Sequence, residues 1–130
     1  MKIIVAYEGS TAAKEALEVA VKHAKAFRAE LLLVWSMPKG NEDQQEAIQA
    51  AEESLAYWKD HLEQKRIACQ THLLIRGVEA GEDIVHFAAD NKVEEIVMGV
   101  RRRSKVGKLI FGSTAQYIIL NAPCPVVTVR

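Results

Sequence analysis

The densest concentration of chemically useful groups in the sequence is Gly99-Val100-Arg101-Arg102-Arg103-Ser104-Lys105-Val106-Gly107-Lys108-Leu109-Ile110-Phe111-Gly112-Ser113-Thr114, which holds five cations, three glycines and no acid. Each ingredient suits an anionic phosphate. Lys and Arg neutralise charge, glycine lets the backbone come close, and a helix opening at Gly112-Ser113-Thr114 offers N–H donors with two hydroxyls beside them. The competing description is a solvated basic loop leading to a helix that Ser113 merely caps. Other phosphate motifs are absent. A Walker A loop ending at Gly107-Lys108 needs Gly at 102 and Ser or Thr at 109, where Arg102 and Leu109 stand, and no G-x-G-x-x-G occurs.

Groups for bond-making chemistry are sparse. His23, His61, His72 and His86 fall on different expected elements without metal-ligand spacing, and His23 and His61 read as exposed helix residues. There is no Gly-x-Ser-x-Gly elbow. The first strand ends on a single carboxylate, Glu8, and the fourth on none, so the paired acids of a magnesium phosphoryl-transfer site are missing. No catalytic residue and no metal ligand is assigned, and an enzymatic reading reduces to slow hydrolysis of a bound nucleotide. Cys69 and Cys124 show neither metal spacing nor a Cys-x-x-Cys pattern and read as small buried free thiols of a reducing compartment.

The elements that must position the glycine-rich basic segment follow from periodicity. Residues 2–7 form a β-branched apolar run broken by Glu8-Gly9-Ser10-Thr11. Ala13, Ala16, Leu17, Ala20, Val21, Ala24 and Phe27 then mark one face of a helix with Ser10 or Thr11 as N-cap. Residues 31–35 are a wholly apolar strand, covered on both faces, and a loop at Pro38, Gly40 and Asn41 leads to a long helix with Ile48, Ala51, Leu55, Trp58 and Leu62 inside. Residues 67–75 alternate as a strand nearer an edge, 76–81 form a loop, 82–90 a short helix, and 95–98 a fourth strand ending at Gly99. A helix from Gly112 stops at Asn121-Ala122-Pro123, before a last strand Pro125-Val126-Val127-Thr128-Val129. Strand and helix alternate without repeats, which predicts an α/β fold with a parallel sheet and helices on both faces. In such a sheet the ligand site lies beyond the carboxyl ends of the strands where their order reverses, here after strands one, two and four.

The chain has 130 residues, 49% of them apolar, and its 17 Lys and Arg balance 17 Asp and Glu. One domain, residues 1–130, is the expectation at this length. Zero net charge argues against a protein that coats nucleic acid or a membrane with its whole surface. Beyond residues 101–108 the sequence offers no second basic stripe, and no aromatic residue interleaves those cations, so nucleic acid is not an expected partner. The N-terminal apolar run is too short for a signal-peptide core, so a cytoplasmic protein is expected. Residues 109–129 carry no charge, but Gly112, Asn121, Pro123 and Pro125 interrupt them; they read as a buried helix and buried strand rather than a membrane span.

The spacing from Gly99 across position 102 to Gly112-Ser113, followed by Ala122-Pro123-Cys124-Pro125-Val126-Val127, resembles the nucleotide-binding signature of the universal stress protein family, and Ile3-Ile4-Val5-Ala6-Tyr7-Glu8-Gly9-Ser10 resembles that family's first strand and turn. The resemblance covers the whole chain and a near-complete ATP-binding glycine motif. It implies a five-stranded parallel sheet of order 3-2-1-4-5 in the adenine nucleotide alpha hydrolase-like manner. It also implies a regulatory stress-response module that binds ATP or AMP, with or without magnesium. The binding residues it implies are Ala6, Tyr7, Glu8, Ser10, Val34, Met98, Gly99, Arg101, Arg102, Gly112, Ser113 and Thr114, with phosphates and ribose on Gly99, Gly112, Ser113 and Thr114 and adenine near Glu8 and Val34. Two positions depart from the family pattern. Arg102 stands for a glycine, and Glu8 for the usual aspartate.

The order 3-2-1-4-5 puts the last strand at a sheet edge, where an uncovered apolar strand invites pairing. The resemblance implies homodimers that meet through this strand, with Ile118, Ile119 and Val127 as interface or core residues. The alternative function is a nucleotide-free dimeric interaction module whose basic loop is a partner surface.

Overall fold

The apolar runs around Ile4, Leu32 and Val97 lie side by side in the middle of a five-stranded sheet in the computed structural model, which describes residues 1–40, 44–100, 102–103 and 109–130. In chain order the elements are β1 (Lys2–Ala6), α1 (Thr11–Phe27), β2 (Glu30–Ser36), α2 (Gln45–Gln64), β3 (Cys69–Leu74), α3 (Ala80–Asp90), β4 (Glu95–Gly99), β5 (Arg102–Arg103), β6 (Leu109–Ile110), α4 (Ser113–Asn121) and β7 (Val126–Val129). The sheet order is β3-β2-β1-β4-β7 with every neighbour parallel, the expected 3-2-1-4-5 with β7 as fifth strand. The expected basic loop contains one unforeseen feature, an antiparallel pairing of β5 with β6.

The central strands are buried on both faces, as continuous apolar runs require. Ile3, Ile4, Val5, Leu31, Leu33, Ile96 and Val97 are wholly inaccessible. One face packs under α1 and α2, the other under α3 and α4. α1 meets the sheet through Ala13, Ala16, Ala20 and Ala24, small enough to bring helix and strands close. Ser10 is its N-cap: the Oγ accepts from the Ala13 N–H at 3.0 Å. Arg28 closes the helix in the left-handed conformation at φ 55°.

Several expectations are corrected by tertiary contacts. α3 begins at Ala80, so Ala80 and Gly81 leave the expected loop; Asp83 N–H bonds to Glu79 O at 2.9 Å, and buried Gly81 packs against Tyr117 of α4. His23 is not an exposed helix residue, because its Nδ1 lies 2.5 Å from Oε1 of Glu95, a buried carboxylate at the start of β4. His61 is half-buried, stacked on Tyr57 and edge-on to Trp58. Cys69 is buried, whereas Cys124 is only half-buried. α4 is no buried helix: of its residues Ile118 alone is fully enclosed, and Ile119 and Leu120 face out, Leu120 at 80% exposure. β7 is a half-buried edge strand.

Buried polar groups are paired. Asp83, 1% exposed, accepts from Ser36 Oγ at 3.0 Å and Arg76 Nε at 2.6 Å, and also pairs with Arg76 Nη2. One carboxylate thus ties the end of β2 and the β3–α3 connection to the first turn of α3, where the helix dipole favours an acid.

Candidate functional site

β1 and β4 run parallel in the register Ala6↔Met98 and end together, with the N-terminus of α4 set across their carboxyl ends. They enclose a cleft of about 330 Å³ lined by Ala6, Glu8, Met98, Gly99, Val100, Gly112, Ser113, Thr114, Ala115 and Ile118. β2, expected to contribute as well, does not line this cleft.

After β1 the chain reverses at Gly9, whose φ of 86° favours glycine. The turn is fastened by Glu8, whose Oε1 accepts from the Ser10 N–H at 3.0 Å while its side chain stays exposed. Seven of the expected residues come together here: Ala6, Glu8, Met98, Gly99, Gly112, Ser113 and Thr114. Ser10 does not line the cleft, because its hydroxyl oxygen is engaged in capping α1. Tyr7 points the other way, into the α1 and α2 face, where its hydroxyl accepts from Trp58 Nε1 at 2.8 Å and its ring meets Trp35 and Trp58 edge-on. Val34 is a wholly buried core residue whose carbonyl accepts from the Tyr7 N–H at 3.0 Å. Arg101 lies outside the described residues, and Arg102 is described by its backbone, paired with Ile110. Val100, Ala115 and Ile118 line the cleft without having been expected at the binding site; the three-residue spacing of Ala115 and Ile118 on one helix face was the available signal.

Two glycines of the cleft serve different ends. A Cβ on Gly99 would lie 2.4 Å from the backbone carbon and oxygen of Ala12, so glycine is demanded there by helix–sheet contact. A Cβ on Gly112 would meet nothing within 4 Å among the described residues. Gly112 is the N-cap of α4 in extended conformation, φ −70° and ψ 170°, with no side-chain cap bond and no acid in the first turn. Ser113 therefore does not cap the helix, against one of the two sequence descriptions. The first helical bond is Gln116 N–H to Gly112 O at 3.0 Å, and the N–H groups ahead of it have no helical partner. A helix end whose first N–H groups have no partner among the described residues suits an anion. Glu8 is the one carboxylate among the described lining residues, and no group of three His, Cys, Asp or Glu able to hold a metal occurs among the described residues.

The absence of a second basic stripe is also corrected. Lys14, Lys22 and Lys25 of α1 and Lys65 after α2 line one trough on the opposite face of the sheet. These positions are up to 51 residues apart in sequence, and folding brings them to one rim.

A parallel sheet of this order, with a cleft at the carboxyl ends of β1 and β4 under a helix N-terminus, defines a Rossmann-like α/β protein. The chain belongs to the universal stress protein family, whose model matches residues 1–130. It is 34% identical to a universal stress protein of Thermus aquaticus, over 98% of this chain and 97% of that one. The solved universal stress protein of Archaeoglobus fulgidus superposes with a TM-score of 0.86 at 34% identity, covering 99% of this chain and 97% of that one. A second Archaeoglobus fulgidus universal stress protein, solved in complex with dAMP, is 29% identical with a TM-score of 0.81, covering 99% and 96%. No described helix is long and apolar enough to cross a membrane.

Proposed function

We propose that this protein, acting as one domain over residues 1–130, binds an adenine nucleotide in the cleft, ATP before AMP, and serves as a regulatory stress-response module of the cytoplasm. The observation that carries the reading is Gly112: no described residue lies within 4 Å of a Cβ built there, and the N-terminus of α4 that it opens has no side-chain cap bond among the described residues. Phosphate oxygens accept from the N–H groups of Ser113 and Thr114, which have no helical partner, with their hydroxyls as further donors, and the nucleoside extends over Ala6 and Glu8. Arg101 and Arg102 supply the neutralising charge, and magnesium, if it accompanies ATP, is held mainly by the phosphates. The relative solved with dAMP supports an adenine nucleotide as the ligand class.

Nucleotide extraction from the purified protein, followed by titration calorimetry with ATP and AMP, tests the proposal. Release of an adenine nucleotide or saturable binding supports it; neither being found overturns it. Arg102→Gly separates the two functional readings, because binding weakens if Arg102 is a phosphate ligand and appears or strengthens if the native chain is a nucleotide-free interaction module.

The same module pairs as a homodimer through β7. The carbonyls of Pro125 and Val129 are taken by Ile96 N–H at 3.0 Å and Val100 N–H at 2.7 Å of the β4 side, so the alternate residues Val126 and Thr128 turn their backbone groups to the free edge. Exposed Leu120 and Ile119 on α4 add apolar surface. Light scattering on Thr128→Pro, which removes an outward N–H and no bond to β4, is expected to show monomer where the parent shows dimer; a monomeric parent overturns the pairing.

A further inference from the structure

The trough between α1 and α2 has a chemistry that the nucleotide cleft does not use. On α1, Lys14, Leu17, Glu18, Val21, Lys22 and Lys25 recur at helical spacing along one stripe; on α2 and its end, Trp58, His61, Leu62 and Lys65 do the same. The two stripes face each other across a trough of about 520 Å³. Val21 and Trp58 are half-exposed in its floor above buried Leu17 and Leu62, and the exposed lysines form its rim. None of the four lysines has a carboxylate within ion-pair distance among the described residues, whereas Lys59 on another face of α2 is paired with Glu63. Through Lys25 and Lys65 the trough continues into a second recess of about 300 Å³ that adds Arg28 and Arg66.

We infer that this trough is a docking site for an amphipathic acidic helix of a partner protein, whose apolar stripe covers Val21 and Trp58 and whose carboxylates meet the lysine rim. Two helices side by side on a sheet leave a groove into which a third packs at the ordinary interaxial distance of about 8–10 Å. Charge complementarity selects the acidic partner: six cations line the two recesses against Glu18 alone. A helix is favoured over single-stranded nucleic acid for two reasons. Glu18 lines the trough at a fixed place, which a helix can meet with an apolar or basic residue but a uniformly charged phosphate backbone cannot, and the Trp58 ring is fixed by its bond to Tyr7 and edged by His61 and Tyr57 rather than offered as a stacking platform. The site lies across the sheet from the nucleotide cleft and does not depend on it.

The test uses the full chain, labelled with nitrogen-15, and a capped peptide of roughly 16 residues, long enough as a helix to cover the α1 stripe, with leucine on one face and glutamate elsewhere. Amide shifts concentrated in residues 14–25 and 58–65, lost on exchanging glutamate for lysine in the peptide, support the inference. Shifts centred on the cleft, no shifts, or the same shifts from a scrambled peptide overturn it. An oligothymidine that perturbs these amides where the peptide does not assigns the trough to nucleic acid and overturns it too. Lys22→Glu with Lys25→Glu is expected to weaken the peptide at least about tenfold. Arg28→Gly with Arg66→Gly is the second variant: both residues have left-handed φ, 55° and 61°, which glycine adopts freely, so the fold is kept while two charges go. It is expected to weaken binding about threefold or more with no loss of thermal stability, and unchanged binding in both double variants rejects the trough as the site.

Discussion

A Cβ placed on Gly99 would sit 2.4 Å from the carbonyl oxygen of Ala12, so the end of β4 and the first turn of α1 touch at a position that admits no side chain. The helix opposite is held there by its alanine stripe and by the Ser10 cap, and the clash falls on backbone, which cannot rotate away. Gly99→Ala is expected to cost about 2–3 kcal/mol as overpacking. Urea unfolding measures it, and a loss under about 0.5 kcal/mol would show that α1 can shift outward freely.

Gly112→Ala is expected to behave in the opposite way. The added methyl meets no described residue within 4 Å and the conformation is extended, so the loss should be limited to the N-cap preference for glycine over alanine, about 0.5–1 kcal/mol. If the cleft receives phosphate, the same methyl crowds the ligand and lowers ATP affinity about tenfold or more in calorimetry. A stable variant with parental affinity would place the phosphates elsewhere.

The Asp83 junction predicts a non-additive pair. Arg76→Ala leaves a buried carboxylate with Ser36 Oγ but no cation, at a cost of about 3 kcal/mol. Adding Asp83→Asn removes the stranded charge, and the double variant should be more stable than the sum of the single losses by about 1 kcal/mol, read from a denaturation cycle.

Cys69 gives a pH dependence. Burial raises its thiol from 9.0 to about 11, with Glu63 and Glu30 adding to the effect and Lys59 opposing it. The folded state therefore holds this proton more tightly than the unfolded chain does. Its stabilising contribution is complete below pH 9 and is lost as pH rises toward 11. Unfolding midpoints should decline over that window less steeply in Cys69→Ala than in the parent, and Cys69 should resist alkylation at pH 8 until urea unfolds the chain. Equal slopes, or rapid labelling of Cys69 in the native state, would contradict its burial.

The strands, the helix faces and the cleft's glycines were legible because they depend on local spacing. A run such as Leu31, Leu32, Leu33 and Val34 is buried whichever element covers it, and Gly112-Ser113 opens a helix whichever ligand it meets. Each feature that escaped the sequence rests on a contact between distant segments. His23 was read as solvent-facing because its partner Glu95 lies on β4, 72 positions on. Which way Tyr7 turns was not legible either, because strand residues alternate in side: Tyr7 faces Trp58 while Ala6 faces the cleft. The uncharged stretch before the C-terminus was read as buried because composition cannot tell a core helix from one at the sheet margin, where Leu120 faces out. The lysines of the trough were dispersed charges until α1 and α2 came to lie on one face. By itself the sequence determined the strand cores and the helix start at Gly112-Ser113, because these follow from local periodicity and spacing. The tertiary structure alone decided which side chains share a surface, because that depends on crossings between elements far apart in the chain.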